Sequence, residues 1–264
     1  MFSYFRTRLA NTDASSEPAR KVAASERVYA IGDIHGRFDL LQAMLDKISA
    51  DLARFSDARK PRIVFLGDYV DRGDQSQKVI ELLSDTARLR DRLKIGSQVR
   101  FDFLAGNHEI AMLAFLDDPT QFSDWLRWGG LQTVASFGLK TKLLSDEAYL
   151  VALRNDLSEQ LSPCMGFLTQ LERLVVSGDF VFVHAALEPD VALDVQPGEA
   201  VFWGQTAIEE LQEYPTHKIV HGHFAHDHPV SLPHRICVDT GAYYSGCLTA
   251  VRLDDTEDFL TVRL

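Results

Sequence analysis

Acidic, amide and imidazole side chains recur in this chain where apolar runs end. Gly32-Asp33-Ile34-His35-Gly36, Gly67-Asp68-Tyr69-Val70-Asp71-Arg72-Gly73 and Gly106-Asn107-His108-Glu109 each follow an apolar run and precede a helical pattern. His184 closes the run 180–183, and His223 follows the run 218–220. Asp33, His35, Asp68, Asn107, His184 and His223 therefore form one candidate metal-ligand set. Mixed carboxylate, amide and imidazole ligands suit Mn, with Fe or Zn as alternatives, better than an all-oxygen Mg or Ca cage. Two such ions ~3.5–4 Å apart form a clamp for in-line displacement at phosphorus. A water bridging them loses a proton and becomes the nucleophile, so no serine or cysteine is needed for that role. Taken singly, each of these residues reads as a strand-end cap or a satisfied core group. Together, with three glycine-flanked turns among their positions, they read as a site.

The elements that must carry these residues follow from periodicity. Strands are expected over 28–31, 62–66 and 99–104, each followed by a helical pattern, as in Leu40, Leu41, Met44, Leu45 and Ile48. This alternation predicts a mostly parallel sheet with right-handed crossovers. Residues 117–174 read as a helical insertion broken at Gly129-Gly130, Gly138 and Pro163. Strands return at 180–183, 218–220 and 235–238, and two more at 247–253 and 259–264 are joined by an acidic turn. Two half-sheets of this size predict a sandwich covered by helices. Residues 1–26 read as a flexible tail, and 27–264 as one domain.

Bulk composition narrows the partners. The 264 residues are 46% hydrophobic and carry a formal charge of -11. That balance argues against sequence-independent binding to nucleic acid or to an anionic membrane. No apolar run approaches a membrane span. Cys164, Cys237 and Cys247 make no C-x-x-C pair, which reads as structural thiols in a reducing, cytoplasmic setting.

The ordered series G-D-x-H-G, G-D-x-x-D-R-G, G-N-H-E, a lone His after a strand, then G-H resembles the phosphoprotein phosphatase family. The likeness is to its bacterial and phage serine/threonine phosphatase branch and runs over 27–264. Supporting stretches are Trp125 to Gly130, Phe182-Val183-His184-Ala185 and Val238-Asp239-Thr240-Gly241-Ala242. The resemblance implies an α/β, calcineurin-like metallophosphoesterase fold: a central β-sandwich flanked by helices, with the helical insertion. It implies that Asp33 and His35 hold the first of two divalent ions, that Asp68 bridges, and that Asn107, His184 and His223 hold the second. His108 is then the general acid, Asp71 orients it, and Arg72 and Asn107 meet the phosphate. Glu109 reads as a first-turn carboxylate that supports the helix start or a neighbouring loop.

The chain departs from the family at one arginine. The family's W-x-R reads Trp203-Gly204-Gln205 here, so Gln205 stands where a phosphate-binding cation is expected. Arg37 or Arg127 is a candidate replacement. Another basic position is Glu188. Losing one charged hydrogen bond to phosphate weakens binding by roughly 1.5–3 kcal/mol, which alters preference without abolishing turnover. His226 and His228 flank Asp227 and read as a solvated loop rather than a third metal site. Tyr243 and Tyr244 stand as either substrate contacts or packing residues.

The expectation is a metal-dependent phosphatase acting on phosphoserine or phosphothreonine in a protein, or on a small phosphoester. The alternative is a dinucleoside polyphosphate hydrolase, because the family includes such enzymes and the centre serves both; no stretch reads as a dedicated adenine pocket. A third reading, a phospho-ligand binding protein without turnover, conflicts with retention of all six ligand types together with Asp71 and His108.

Overall fold

The computed structural model describes residues 20–94, 99–142, 146–204 and 216–264. Among these described residues, two five-stranded sheets pack face to face. The first has the order β10-β9-β1-β2-β3, built from β1 (Glu26–Ile31), β2 (Lys60–Phe65), β3 (Arg100–Phe103), β9 (Cys247–Leu253) and β10 (Glu257–Arg263). Strands β1, β2 and β3 run parallel, and β9 and β10 extend the sheet as an antiparallel hairpin. The second has the order β4-β5-β6-β8-β7, from β4 (Leu174–Ser177), β5 (Phe180–Val183), β6 (Lys218–His221), β7 (Val230–Ser231) and β8 (Arg235–Cys237). Here β5, β6 and β8 run parallel, with antiparallel strands at both edges.

Alternation along each strand decides what lies between the layers. Val28 and Ala30 of β1 and Val64 of β2 face the second sheet, where they meet Phe180, Phe182, Val220 and Ile236. Tyr29, Ile31, Ile63 and Phe65 point the other way, into a helical layer. That layer contains α1 (Phe38–Leu52), α2 (Ser76–Leu83), α3 (Thr86–Leu93), α4 (Asn107–Asp117), α5 (Gly130–Ser136), α6 (Glu147–Leu161) and α7 (Met165–Leu168). The outer face of the second sheet, Val181, Val183 and Ile219, is covered by Val201 of α8 (Gly198–Trp203) and by Leu187. A last short helix, α9 (Ala242–Ser245), follows β8. The chain belongs to the α/β class, as expected.

The expected helical insertion is present among its described residues but is not a separate cover. Trp125, Val134, Leu153, Leu157 and Leu168 share one buried cluster with Tyr29, Phe65 and Phe115. Its far boundary moves: Leu174 opens strand β4, which pairs antiparallel with β5, instead of ending a helix. Residues 1–19 of the expected tail lie outside the described residues. From Lys21 onward the segment is held. The Lys21 backbone N–H donates to the Asp179 carboxylate at 2.8 Å, that of Ala23 donates to the Ser177 hydroxyl at 3.1 Å, and Val22 is buried. All three cysteines are free and buried. Among the described residues, no helix is long and apolar enough to cross a membrane.

Candidate metal and phosphate site

The C-terminal ends of the parallel strands of both sheets meet along one edge of the sandwich. Asp33 and His35 follow β1, Asp68, Asp71 and Arg72 follow β2, and Asn107 and His108 follow β3. From the second sheet come His184 after β5, His223 after β6 and Asp239 after β8. The turns are tight enough to force unusual backbone. His35, Asp68, Asp71, Arg72 and His223 have φ of 45°, 51°, 73°, 68° and 62°. Non-glycine residues avoid that left-handed region at a cost of order 1–3 kcal/mol each, and such strain gathers where a side chain must be aimed. Among the described residues only Lys94, at a helix end, shares it without belonging to the site.

Close backbone approach adds a second constraint. A Cβ on Gly106 would lie 2.1 Å from Asp68 Oδ1, and one on Gly222 would lie 2.0 Å from Asp33 Oδ1. Both carboxylates therefore rest on bare backbone that no other residue type supplies.

Side-chain geometry points inward. Asp68 Oδ2 lies 3.4 Å from His35 Nε2, and Asp68 Oδ1 lies 3.5 Å from His184 Nε2. Asn107 Oδ1 lies 3.0 Å from both His184 Nε2 and His223 Nδ1, which are 3.2 Å apart. Backbone carbonyls fix two of the rings: His35 Nδ1 donates to Val70 O and His184 Nδ1 to Leu66 O, both at 2.9 Å. Each Nε2 is thereby left as a lone pair facing the centre. Burial holds His35 down to about 3 and His223 down to about 4, and also depresses His184, so all three rings are neutral at pH 7. Asp33 is pushed well above the ordinary carboxylate range by burial, Asp239 and Asp68, while accepting from His223 N–H at 3.1 Å. Buried neutral imidazoles, an amide oxygen and crowded carboxylates aimed at one volume fit divalent cations. Among the described residues, two sets of imidazole and carboxylate ligand atoms lie within 4.8 Å of one another: those of His35, Asp68 and His108, and those of Asp68, His184 and His223; Asp68 is common to both.

Beside this cluster, His108 Nδ1 donates to Asp71 Oδ2 at 2.6 Å. Asp71 is itself held by the Trp125 indole N–H at 2.7 Å and the Thr133 hydroxyl at 2.6 Å. Burial pulls the His108 pKa down, but the Asp68 charge and the Asp71 hydrogen bond outweigh it, and the net direction is up. Glu109 accepts backbone N–H groups of Asp68, Tyr69, Val70 and Gly106, between 2.8 and 3.2 Å, and so fastens the β2 turn to the start of α4. Burial and the Asp68 charge push its carboxyl up to about 7, against those backbone donors.

The cations differ in how far they are free. Arg72 Nη1 donates to His35 Nε2 at 3.1 Å, and its guanidinium lies 4.8 Å from the Tyr243 ring centroid. Arg37 is committed elsewhere: it donates to both oxygens of Asp39, at 2.9 and 2.7 Å, and to the Ala242 carbonyl at 2.9 Å. The structure thus does not bring the Arg37 guanidinium to the cluster. Arg127 is exposed beside Arg72 and makes no side-chain hydrogen bond or ion pair among the described residues. Gln205 lies outside the described residues. Sequence reasoning gave no role to Asp239, Trp125 or Thr133. Asp239 was findable, since it follows strand β8 as Asp33 follows β1. Its carboxyl is buried beside Asp33 and pushed up to about 6 by that burial.

Residues 26–229 match the model of the calcineurin-like phosphoesterase family. The chain belongs to that family. Members of that family are metallophosphoesterases that bind divalent metals, and the cluster just described could hold such ions. Among curated proteins, bis(5'-nucleosyl)-tetraphosphatase PrpE (asymmetrical) of Bacillus cereus strain Q1 is 28% identical over 251 residues, covering 86% of this chain and 90% of the relative. The protein of the same name from Bacillus anthracis strain CDC 684 is also 28% identical over the same span. Among solved structures, one described as a "putative diadenosine tetraphosphatase" superposes with a TM-score of 0.56 at 19% identity, over 93% of this chain and 98% of the other. A cold-active protein tyrosine phosphatase superposes with a TM-score of 0.53 at 18% identity, over 92% of this chain and 81% of the other. At these identities the two solved structures establish the fold alone.

Proposed function

We propose that this protein hydrolyses a phosphoanhydride bond of a dinucleoside polyphosphate, cleaving asymmetrically, with two divalent cations as cofactors. The observation that carries this reading is the match, across 90% of their length, to relatives named for that reaction. Phosphoserine or phosphothreonine hydrolysis ranks second. It draws on the motif order, which serves both reactions equally.

Asp33, His35, Asp68, Asn107, His184 and His223 would hold the cations, with Mn the expected metal. The cations would supply charge neutralisation at phosphate oxygens and an activated water. The chain supplies the rest. Arg72 extends beside His35 and presents a planar fork to phosphate oxygens. His108 offers Nε2 as a proton donor, because Nδ1 is engaged by Asp71. Trp125 and Thr133 hold Asp71 so that the ring cannot turn away. Arg127 stands nearby as the candidate second phosphate cation in place of Gln205.

Turnover of a dinucleoside tetraphosphate, a phosphoserine peptide and a phosphothreonine peptide with added Mn tests the proposal. The expected products from the first are a nucleoside monophosphate and a nucleoside triphosphate, resolved by ion-exchange chromatography. Cleavage of the peptides without cleavage of the dinucleotide would overturn it.

A further inference from the structure

The structure assigns a nucleobase-binding subsite to the cleft between Trp128 and Tyr243. The assignment rests on the dinucleoside polyphosphate reading and deepens it. The cleft has a volume of about 470 Å³ and is lined by Arg72, Leu126, Arg127, Trp128, Gln132 and Tyr243 among others. That volume falls within the range of roughly 300–1,000 Å³ typical of small-molecule sites.

Arg72 makes the cleft continuous with the reaction centre. Its Nη1 is 3.1 Å from His35 Nε2, and its Cζ lies over the Tyr243 ring at 4.8 Å. A polyphosphate crossing Arg72 from the metal cluster therefore runs directly into the cleft. Arg127 adds a second cation on the same wall. Beside these charges the lining carries two aromatic rings, Trp128 and Tyr243, so the cleft offers both kinds of group that a nucleotide needs.

The two aromatic rings are exposed yet fixed. Trp128 is 47% exposed and Tyr243 39% exposed. Trp128 packs edge-on against Trp203 with ring centroids 5.7 Å apart, and Tyr243 packs edge-on against Tyr244 at 4.9 Å and against His35 at 5.4 Å. A single exposed aromatic needs no explanation. Trp128, held against Trp203 beside these cations, offers a stacking surface whose ordering precedes binding, and Tyr243 lines the same cleft next to Arg72. The backbone couples them to the phosphate site: Arg72 N–H donates to Gly129 O at 3.2 Å, one residue beyond Trp128. Gly129 has φ of 120°, and a Cβ there would lie 2.6 Å from Arg72 N. Gln132, exposed in the same cleft, offers an amide to a base edge.

The test compares ligands that differ by a nucleoside. ATP and inorganic tripolyphosphate are titrated as inhibitors of dinucleoside tetraphosphate cleavage, with the unmodified protein, Trp128→Ala and Trp128→Phe. Trp128→Ala is expected to weaken ATP by about tenfold or more, the usual effect of removing a stacking ring, and to leave tripolyphosphate unchanged. Trp128→Phe is expected to restore most of the ATP affinity. Equal loss for both inhibitors, or no loss for ATP, would overturn the subsite while leaving the proposed reaction standing. Failure of the unmodified protein to cleave the dinucleotide would overturn both.

Discussion

At the scale of single residues, the leaving group decides how much His108 matters. An alkoxide leaving from phosphoserine needs a proton in the transition state, whereas a nucleotide leaves as an already stable phosphate. His108→Asn should therefore reduce kcat on an alkyl phosphate by roughly 10²–10⁴-fold, the usual range for general acid catalysis, and much less on a dinucleoside tetraphosphate. Steady-state rates on the two substrates check this, and equal losses would remove His108 from proton transfer. Asp71 sets the pH range of the same group. The Asp71 hydrogen bond is among the influences that raise the His108 pKa. A general acid works only while protonated, so activity falls as pH rises through that pKa. Asp71→Asn should move the alkaline limb of the kcat profile to lower pH, read from rates between pH 6 and 10. An unmoved limb would show that Asp71 only holds the ring in place.

At the scale of elements, two of the three glycine-flanked turns are joined by one carboxylate. Glu109 Oε1 accepts from Tyr69 and Val70, and Oε2 accepts from Asp68 and Gly106. In Glu109→Gln one of those oxygens becomes an amide NH2, which faces two buried N–H groups it cannot satisfy. Each such group costs about 1–3 kcal/mol, so unfolding stability should fall by roughly 2–6 kcal/mol. Urea denaturation followed by circular dichroism measures this; a change within 0.5 kcal/mol, the spread of an ordinary surface substitution, would mean the turns are held otherwise. The strand-end residues themselves were legible because glycine, acid and imidazole occur together over a few positions. Their helpers were not. Trp125 and Thr133 reach Asp71 across 54 and 62 residues, and only the packing of the helical layer brings them there. Strand β4 was missed for a similar reason: Leu174–Ser177 is short, follows helices, and becomes a strand by pairing with β5.

At the scale of the whole molecule, the sandwich keeps its two sheets in register while one edge gathers mutually repelling groups. Asp33 and Asp239 are carboxyls with raised pKa, Asp239 to about 6. A carboxyl raised on folding favours the protonated form, so without metal these groups destabilise the fold increasingly as pH climbs from about 4 past 6. Buried His35 and half-buried His223, lowered to about 3 and about 4, act in the opposite direction and lose stability as pH falls below about 6.5. Cations relieve the carboxylate repulsion and require the same deprotonated ligands. The rise in melting temperature on adding Mn should therefore be larger at pH 7.5 than at pH 5. At a hundredfold excess over Kd the stabilisation is about 2.7 kcal/mol, or roughly 5–10 °C for a chain of this size. Differential scanning fluorimetry at both pH values, with chelator and then with Mn, reads the effect. Asp68→Asn should abolish most of it, since Asp68 addresses His35 with one oxygen and His184 with the other. An equal rise in that variant would place the stabilising metal elsewhere on the protein.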